Sequence, residues 1–152
     1  MGVIVVGVDG SKSSRAALDW ALAEAALRGS SLRAVHAWSI PAIGTSEAPW
    51  SLMSTSDYME LDPDELAKAA GDALEREIAD AQGTAGSGIV IERAVVDAPA
   101  ADAIVDSGKD AELIVVGSHG RGAVASLLLG SVSQHVAQHA SCPVVIVRAP
   151  RD

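Results

Sequence analysis

The sequence predicts an α/β fold in which helices cover both faces of a parallel sheet. Short runs rich in aliphatic and β-branched residues are typical of strands buried on both faces. They alternate with segments of helical period, and this alternation indicates right-handed β-α-β crossovers. With 152 residues, the chain can form one domain, 1–152, that buries about two thirds of its unfolded surface.

The first part of the chain predicts two strands joined by a helix. Val3 to Val8 is the first strand. A helix follows from Ser13 to Arg28 and ends at Gly29, a typical C-terminal stop. The apolar stripe of this helix consists of Ala17, Leu18, Ala21, Leu22, Ala25 and Ala26. The second strand is Leu32 to Trp38, and residues 39–61, which lack a period and contain two prolines, predict a long loop that is able to move.

The remaining elements continue the alternation. Asp62-Pro63-Asp64-Glu65 predicts a helix start, with an N-cap acid, proline at the first helical position and Glu three residues after the cap. The predicted elements are a helix to about Ala81, a turn over 82–88, a strand over 89–96, a short helix that follows Ala98-Pro99 and stops near Gly108, a strand over 113–116, a helix over 131–140 and a strand over 143–147.

The segment after the fourth strand is the clearest candidate for a ligand site, because open α/β sheets bind ligands beyond the carboxyl ends of their strands. It contains Gly117, Gly120 and Gly122, which can turn tightly and bring main-chain amides close to a ligand. Gly130 and Ser131 then open a helix whose first amides are free to meet an anion, and Gln134 is placed to complete a capping box with Ser131. This pattern indicates a phosphate cradle.

The pattern Gly117-x2-Gly120-x9-Gly130-Ser131 resembles the nucleotide signature of the universal stress protein family. The opening run Val6 to Ser11 and the closing run Ser141 to Val147 are similar to that family as well, so the resemblance spans nearly the whole chain. It implies a Rossmann-like open five-stranded sheet in the order 3-2-1-4-5. It also implies a regulatory module of the stress response that binds ATP.

The resemblance carries over to individual residues. It implies Asp9 and Ala37 for the nucleoside. For the phosphates it implies Gly117, Gly120, Gly130, Ser131, Val132 and Ser133. Arg121 can add positive charge, and Mg2+ would offset the charge of the phosphates in an acidic protein. In the implied order the last strand, Val144 to Val147, lies at an apolar sheet edge, which predicts a homodimer through that strand.

Composition excludes several other classes. The net charge of −9 disfavours binding to nucleic acid, and the single cysteine excludes a disulfide framework or a zinc module built on several cysteines. We expect no membrane association and a cytoplasmic location, since the sequence shows neither a leader nor an apolar run of about 20 residues. The glycine spacing matches neither a Walker loop nor a dinucleotide fingerprint.

Several alternatives remain open at this point. The module could be a slow ATP hydrolase or a sensor of AMP or cyclic AMP, although no motif places a group to activate water. A receiver-like domain phosphorylated on Asp97 is a further hypothesis. His135 and His139 lie four residues apart, and we favour a solvated helix face over a metal site for them. For Cys142 we favour the role of a small apolar residue over that of a nucleophile. His36 is expected to be partly buried and hydrogen-bonded.

Overall fold

The computed structural model describes residues 2–38, 62–85, 88–120 and 128–150. It confirms the α/β fold and the strand order, with a parallel five-stranded sheet in the order β3-β2-β1-β4-β5. In chain order the elements are β1 (Val3–Gly7), α1 (Lys12–Arg28), β2 (Ser31–Trp38), α2 (Pro63–Ala85), β3 (Ile91–Asp97), α3 (Ala100–Ser107), β4 (Leu113–Gly117), α4 (Ser131–His139) and β5 (Val144–Val147). The predicted loop over 39–61 lies outside the described residues.

The central strands are apolar along their whole length because helices cover both faces of the sheet. In β1, Ile4 and Val6 belong to the core shared with α1 and α2, whereas Val5 belongs to the core shared with α3 and α4. All three side chains are fully buried. Successive side chains of a strand point to opposite faces, so a strand with two buried faces needs apolar residues at every position.

The first helix begins and ends close to the predicted residues. Ser11 is its N-cap and its side chain accepts a hydrogen bond from the Ser14 N–H, while Gly29 ends the helix in the left-handed conformation with φ of 67°. The buried stripe begins earlier than predicted, at Ser13 and Ser14. The prediction that Ala26 belongs to this stripe is wrong, since Ala26 is exposed and Ala25 is the last buried residue.

The second helix has the predicted start and a later end. The Asp64 N–H donates to Asp62 Oδ1 at 3.0 Å, as expected for an N-cap acid. The helix continues to Ala85, so the predicted turn over 82–88 is wrong in its first half. Gly83 costs such a helix about 1 kcal/mol, and burial of Ile78 and Ala81 against the sheet holds its last turns in place. The third strand correspondingly begins at Ile91 instead of Ile89.

The order of the strands creates one position where the chain leaves two neighbouring strands in opposite directions. From β1 the chain enters α1 on one face of the sheet, and from β4 it reaches α4 on the other face. A crevice forms between the carboxyl ends of such strands. Among the described residues, no helix is both long enough and apolar enough to cross a membrane.

Candidate nucleotide site at the switch point

A cleft opens between the carboxyl ends of β1, β2 and β4. Five of the predicted site residues line it together: Asp9, Ala37, Gly117, Gly120 and Val132. The other lining residues are of two kinds: the apolar Val8, Val35, Ala100, Ile104 and Val116, and the small or polar Gly7, Ser11, Ser13, Ser14 and His119. The cavity volume is about 60 Å³, below the ~300–1,000 Å³ of typical ligand pockets. A larger ligand would therefore extend across the open mouth.

The turn after β1 directs the Asp9 carboxylate across this cleft. Gly10, with φ of 81°, makes the turn possible. The Ser11 N–H donates to Asp9 Oδ1 at 2.8 Å, and the Asp9 N–H donates to Ser14 Oγ at 3.2 Å. The other carboxylate oxygen reaches the segment after β4, because a Cβ added to Gly120 would lie 2.7 Å from Asp9 Oδ2.

Gly117, Gly120 and Gly130 make close approaches to other residues, and none of the three has a positive φ, so the expected tight turn in unusual backbone angles is wrong for them. A Cβ on Gly117 would lie 2.6 Å from the main-chain carbon of Ser13. At Gly130 it would lie 3.3 Å from both His119 Cα and Ser118 O. Among the described residues, positive φ is confined to Gly10, Gly29 and Gly88. The absence of a side chain at Gly117 therefore lets the end of β4 pack on the first turn of α1, and its absence at Gly130 lets the start of α4 approach residues 118–120.

The N-terminus of α4 also faces the cleft. The predicted capping box is wrong, because Gly130 and not Ser131 is the N-cap and no side chain caps the helix. The Gln134 N–H donates to Gly130 O at 3.1 Å, while its side-chain amide donates to Leu129 O. Because the Gln134 N–H makes the first helical bond, the three preceding amides have no helical acceptor. Such a helix end attracts anions.

The residues of this first turn differ in what they offer to a ligand. Val132 lines the cleft, whereas Gly130, Ser131 and Ser133 are not among its lining residues, and Ser131 is exposed. Ser133 is 1% exposed, and its hydroxyl lies 3.1 Å from Ser118 O and 3.0 Å from Gly130 O. Since a hydroxyl has one proton to donate, this side chain supports the loop and leaves only the main chain of Ser133 to act on a phosphate. Arg121 lies outside the described residues.

The N-terminal turn of α1 forms the opposite side of the cleft, which sequence reasoning missed. Ser13 Oγ donates a short hydrogen bond to His119 O and accepts one from the His119 N–H at 3.3 Å. Ser13 and Ser14 are each 4% exposed. The sequence did contain a signal for their burial. Ser13 and Ser14 lie one helical turn before Ala17 and Leu18, so they continue the apolar stripe of α1.

The histidines outside the cleft have structural partners. His36 Nδ1 donates to Val8 O at 2.7 Å, as expected for a satisfied, partly buried histidine. The rings of His135 and His139 stack 4.2 Å apart, with His139 Nδ1 on the His135 carbonyl and His135 Nε2 3.4 Å from Asp102. Within the ranges described, no cluster of His, Cys, Asp or Glu is arranged to hold a metal ion.

Cys142 and Asp97 also lie away from the cleft lining. Burial raises the pKa of the Cys142 thiol, which is unlike an activated nucleophile, and this side chain packs against the core beside α3 and α4. Asp97 is exposed at the end of β3, the outermost strand on that side of the sheet. Since β2 separates β3 from β1, this position does not support a receiver-like site shared with Asp9.

Comparison with known sequences places the fold and the glycine pattern in a family. A family model described as the universal stress protein family matches residues 1–148. Universal stress proteins of Mycobacterium tuberculosis and Mycolicibacterium smegmatis are each 36% identical over 149 residues and cover 98% and 95% of this chain. The match takes in 44% and 45% of those relatives, so the chain spans less than half of their length.

Solved structures show the same similarity. UspA, a universal stress protein from Lactobacillus plantarum, matches with a TM-score of 0.75 at 25% identity, over 97% of each chain. A universal stress protein in complex with cAMP matches with a TM-score of 0.66 at 32% identity, over 98% of each chain. One from Archaeoglobus fulgidus in complex with dAMP gives 0.55 at 26% identity, over 97% of this chain and 98% of that one. The chain belongs to the universal stress protein family.

Proposed function

We propose that this chain is a nucleotide-dependent regulatory module of the stress response that binds ATP together with Mg2+. The observation that carries the proposal is the convergence of two helix N-termini, those of α1 and α4, on one cleft at the point where the strand order reverses. Exposed amides and helix dipoles at that point favour a phosphorylated ligand. We propose further that residues 1–152 act as one unit, which the match over residues 1–148 supports.

The nucleoside is proposed to lie against the end of β2. Ala37 and its neighbours present a wall of small and aliphatic side chains suited to the flat face of a base. Asp9 stands beside this wall, where its carboxylate can accept hydrogen bonds from a hydroxyl or amino group of the nucleoside.

The phosphates are proposed to lie along the segment from Gly117 to Ser133. Gly117 and Gly120 allow a ligand to approach the main chain, and the amides of Ser131, Val132 and Ser133 lie at the start of α4. Arg121 belongs to the same segment and adds a positive charge. Because Asp9 brings negative charge to the cleft, a bound Mg2+ would offset the repulsion while keeping most of its ligands as phosphate oxygens and water.

The related structures support the adenine part of this proposal. Two of the matched universal stress proteins were solved with cAMP and dAMP, which share an adenine base and a single phosphate. The choice of ATP rests instead on the resemblance of the pattern Gly117-x2-Gly120-x9-Gly130-Ser131 to the family's nucleotide signature.

Isothermal titration calorimetry with MgATP, AMP and cyclic AMP tests both the binding of an adenine nucleotide and the preference for ATP. We expect saturable binding that is tightest for MgATP and is weakened in Gly120→Ala, because the new Cβ displaces Asp9 Oδ2, and in Gly130→Ala. Gly71→Ala is the matched control, since a Cβ there meets nothing within 4 Å. Absence of binding to all three nucleotides would contradict the proposal, whereas equal affinity for AMP would remove only the preference for ATP.

A homodimer is the second part of the proposal. In the described part of the sheet β5 pairs with β4 on one side, and its four valine and isoleucine residues are half-buried. A second copy pairing with this edge would cover apolar surface and satisfy main-chain groups.

A further inference from the structure

We propose that Ser13 is a positioning residue for the nucleotide site, holding the main chain of the glycine segment in place without touching the ligand's phosphates. The inference rests on the proposed function. It starts from the hydroxyl of Ser13, which bonds both main-chain groups of His119, a residue 106 positions further along the chain. One side chain of α1 thus holds the two peptide units on either side of the His119 Cα.

This contact lies between the two glycines that approach α1 and Asp9 most closely. On one side of His119, Gly117 packs on the main chain of Ser13 and Ser14. On the other side, Gly120 abuts Asp9 Oδ2. The Ser13 bonds therefore hold the main chain of the loop at a residue that lies between two close glycine contacts.

The same loop is also hydrogen-bonded to the start of α4. Ser118 O, one residue before His119, accepts the Gly130 N–H at 2.7 Å and lies 3.1 Å from Ser133 Oγ. The start of the glycine segment is thereby joined to its end, at the N-cap of α4. Hydrogen bonds thus link the first turn of α1, residues 118 and 119, and the first turn of α4.

Ser13 is too buried for a purely solvent-facing role, and it is not the N-cap of its helix, which is Ser11. Removing its hydroxyl takes away both of these hydrogen bonds and leaves the His119 C=O with the longer contact to Ser11 Oγ at 3.5 Å. The loss of two hydrogen bonds at a half-buried residue weakens the hold of α1 on the loop and lets the loop adopt other conformations. We expect the amides that follow, at the mouth of the cleft, to lose their fixed arrangement.

The experiment compares Ser13→Ala with Ser30→Ala by calorimetry and thermal unfolding. Ser30 is 8% exposed and donates to Glu112 at 2.6 Å near the amino end of the sheet, so it reports the cost of losing a buried serine far from the cleft. We expect both variants to unfold at lower temperature, while only Ser13→Ala binds MgATP more weakly, by about tenfold. Hydrogen exchange at the His119 and Gly120 amides should quicken in Ser13→Ala alone.

The outcomes separate this inference from the proposed function. If the parent protein binds a nucleotide and Ser13→Ala binds it equally well, or if both variants lose affinity in step with their stability, the positioning role is wrong. If the parent protein binds no adenine nucleotide, the proposed function fails and this inference fails with it. Should Ser13→Ala not fold, Ser13→Cys keeps the shape of the side chain with weaker hydrogen bonding and takes its place, with the same affinity loss expected in smaller measure.

Discussion

At the scale of single residues, some glycines of this chain are needed because a side chain would not fit, whereas others lie where a side chain would fit. Gly117 is needed because the main chain of α1 occupies the space where a Cβ would be. Gly71 lies within α2 with open space around it, so there the missing side chain only adds flexibility to the unfolded chain. The same residue type is thus a packing requirement in the cleft and a local weakness in the helix.

Substituting these two glycines should shift stability in opposite directions. Gly117→Ala forces apart Ser13 and β4 and should lower the free energy of unfolding by about 1–3 kcal/mol, whereas Gly71→Ala should raise it by about 0.5–1 kcal/mol. Urea denaturation of each variant measures the change. If both variants changed the free energy of unfolding equally, the main chain of Ser13 would have moved away from the new Cβ at residue 117 without loss of stability.

Cys142 provides a residue-scale prediction on pH. Burial raises the pKa of its thiol, so at a given pH near 8 the folded protein holds less thiolate than the unfolded chain. Alkylation by iodoacetamide at pH 8 should therefore be several-fold slower in the native protein than in concentrated guanidinium chloride. Because the chain has one cysteine, Cys142→Ser gives the unlabelled control, and equal rates in both states would refute the expectation.

At the scale of elements, the candidate site is formed mainly by the ends of strands and the starts of helices. The start of α4 shows this most clearly, because its N-cap is Gly130 and no side chain blocks the first amides. A serine or aspartate cap would satisfy one of these amides, and an anionic ligand can do the same. In α1, by contrast, Ser11 caps the helix, Ser13 donates to His119 O in the loop after β4, and Ser14 accepts from the Asp9 N–H.

The edge strand β5 is where the homodimer can be tested. Val145→Lys should leave a monomer in light scattering, since a charged side chain on a paired edge opposes association. Val95→Lys is the matched control, because Val95 lies on β3 at the other edge of the sheet and is 36% exposed. A dimer that persists in Val145→Lys would place the interface elsewhere.

At the scale of the whole molecule, the charge and the sheet order act together. A net charge of −9 repels polyanions, yet the strand order places two helix N-termini at one cleft. A small anion that brings its own Mg2+ can bind at such a point, because local amides and the cation outweigh the diffuse field of distant carboxylates.

Ligand binding at this point should stabilise the entire fold, since β1, β4, α1 and α4 all contribute to it. At a MgATP concentration about 100 times the dissociation constant, the free energy of unfolding should rise by about 2.7 kcal/mol. For a chain of this size that corresponds to roughly 5–10 °C in the melting temperature. Differential scanning fluorimetry measures the shift, and Mg2+ without nucleotide is the control that should show little change.

Much of the fold follows from local patterns in the sequence. The buried strands, the helix start at Asp62 and the helix end at Gly29 were predictable, because periodicity, caps and backbone freedom act over a few residues. The end of α2 was not, since burial of Ala81 and Ile78 against a sheet formed by other parts of the chain outweighs the local cost of Gly83.

The sequence by itself determined an alternating α/β chain, an acidic surface and a glycine segment after the fourth strand, and family resemblance supplied the strand order. Only the tertiary structure decided why those glycines are needed and which residue types surround them. The contacts of Ser13 with His119 and of Gly120 with Asp9 join segments more than 100 positions apart. Such contacts arise from how crossovers place strand ends side by side, and no periodicity within either segment encodes them.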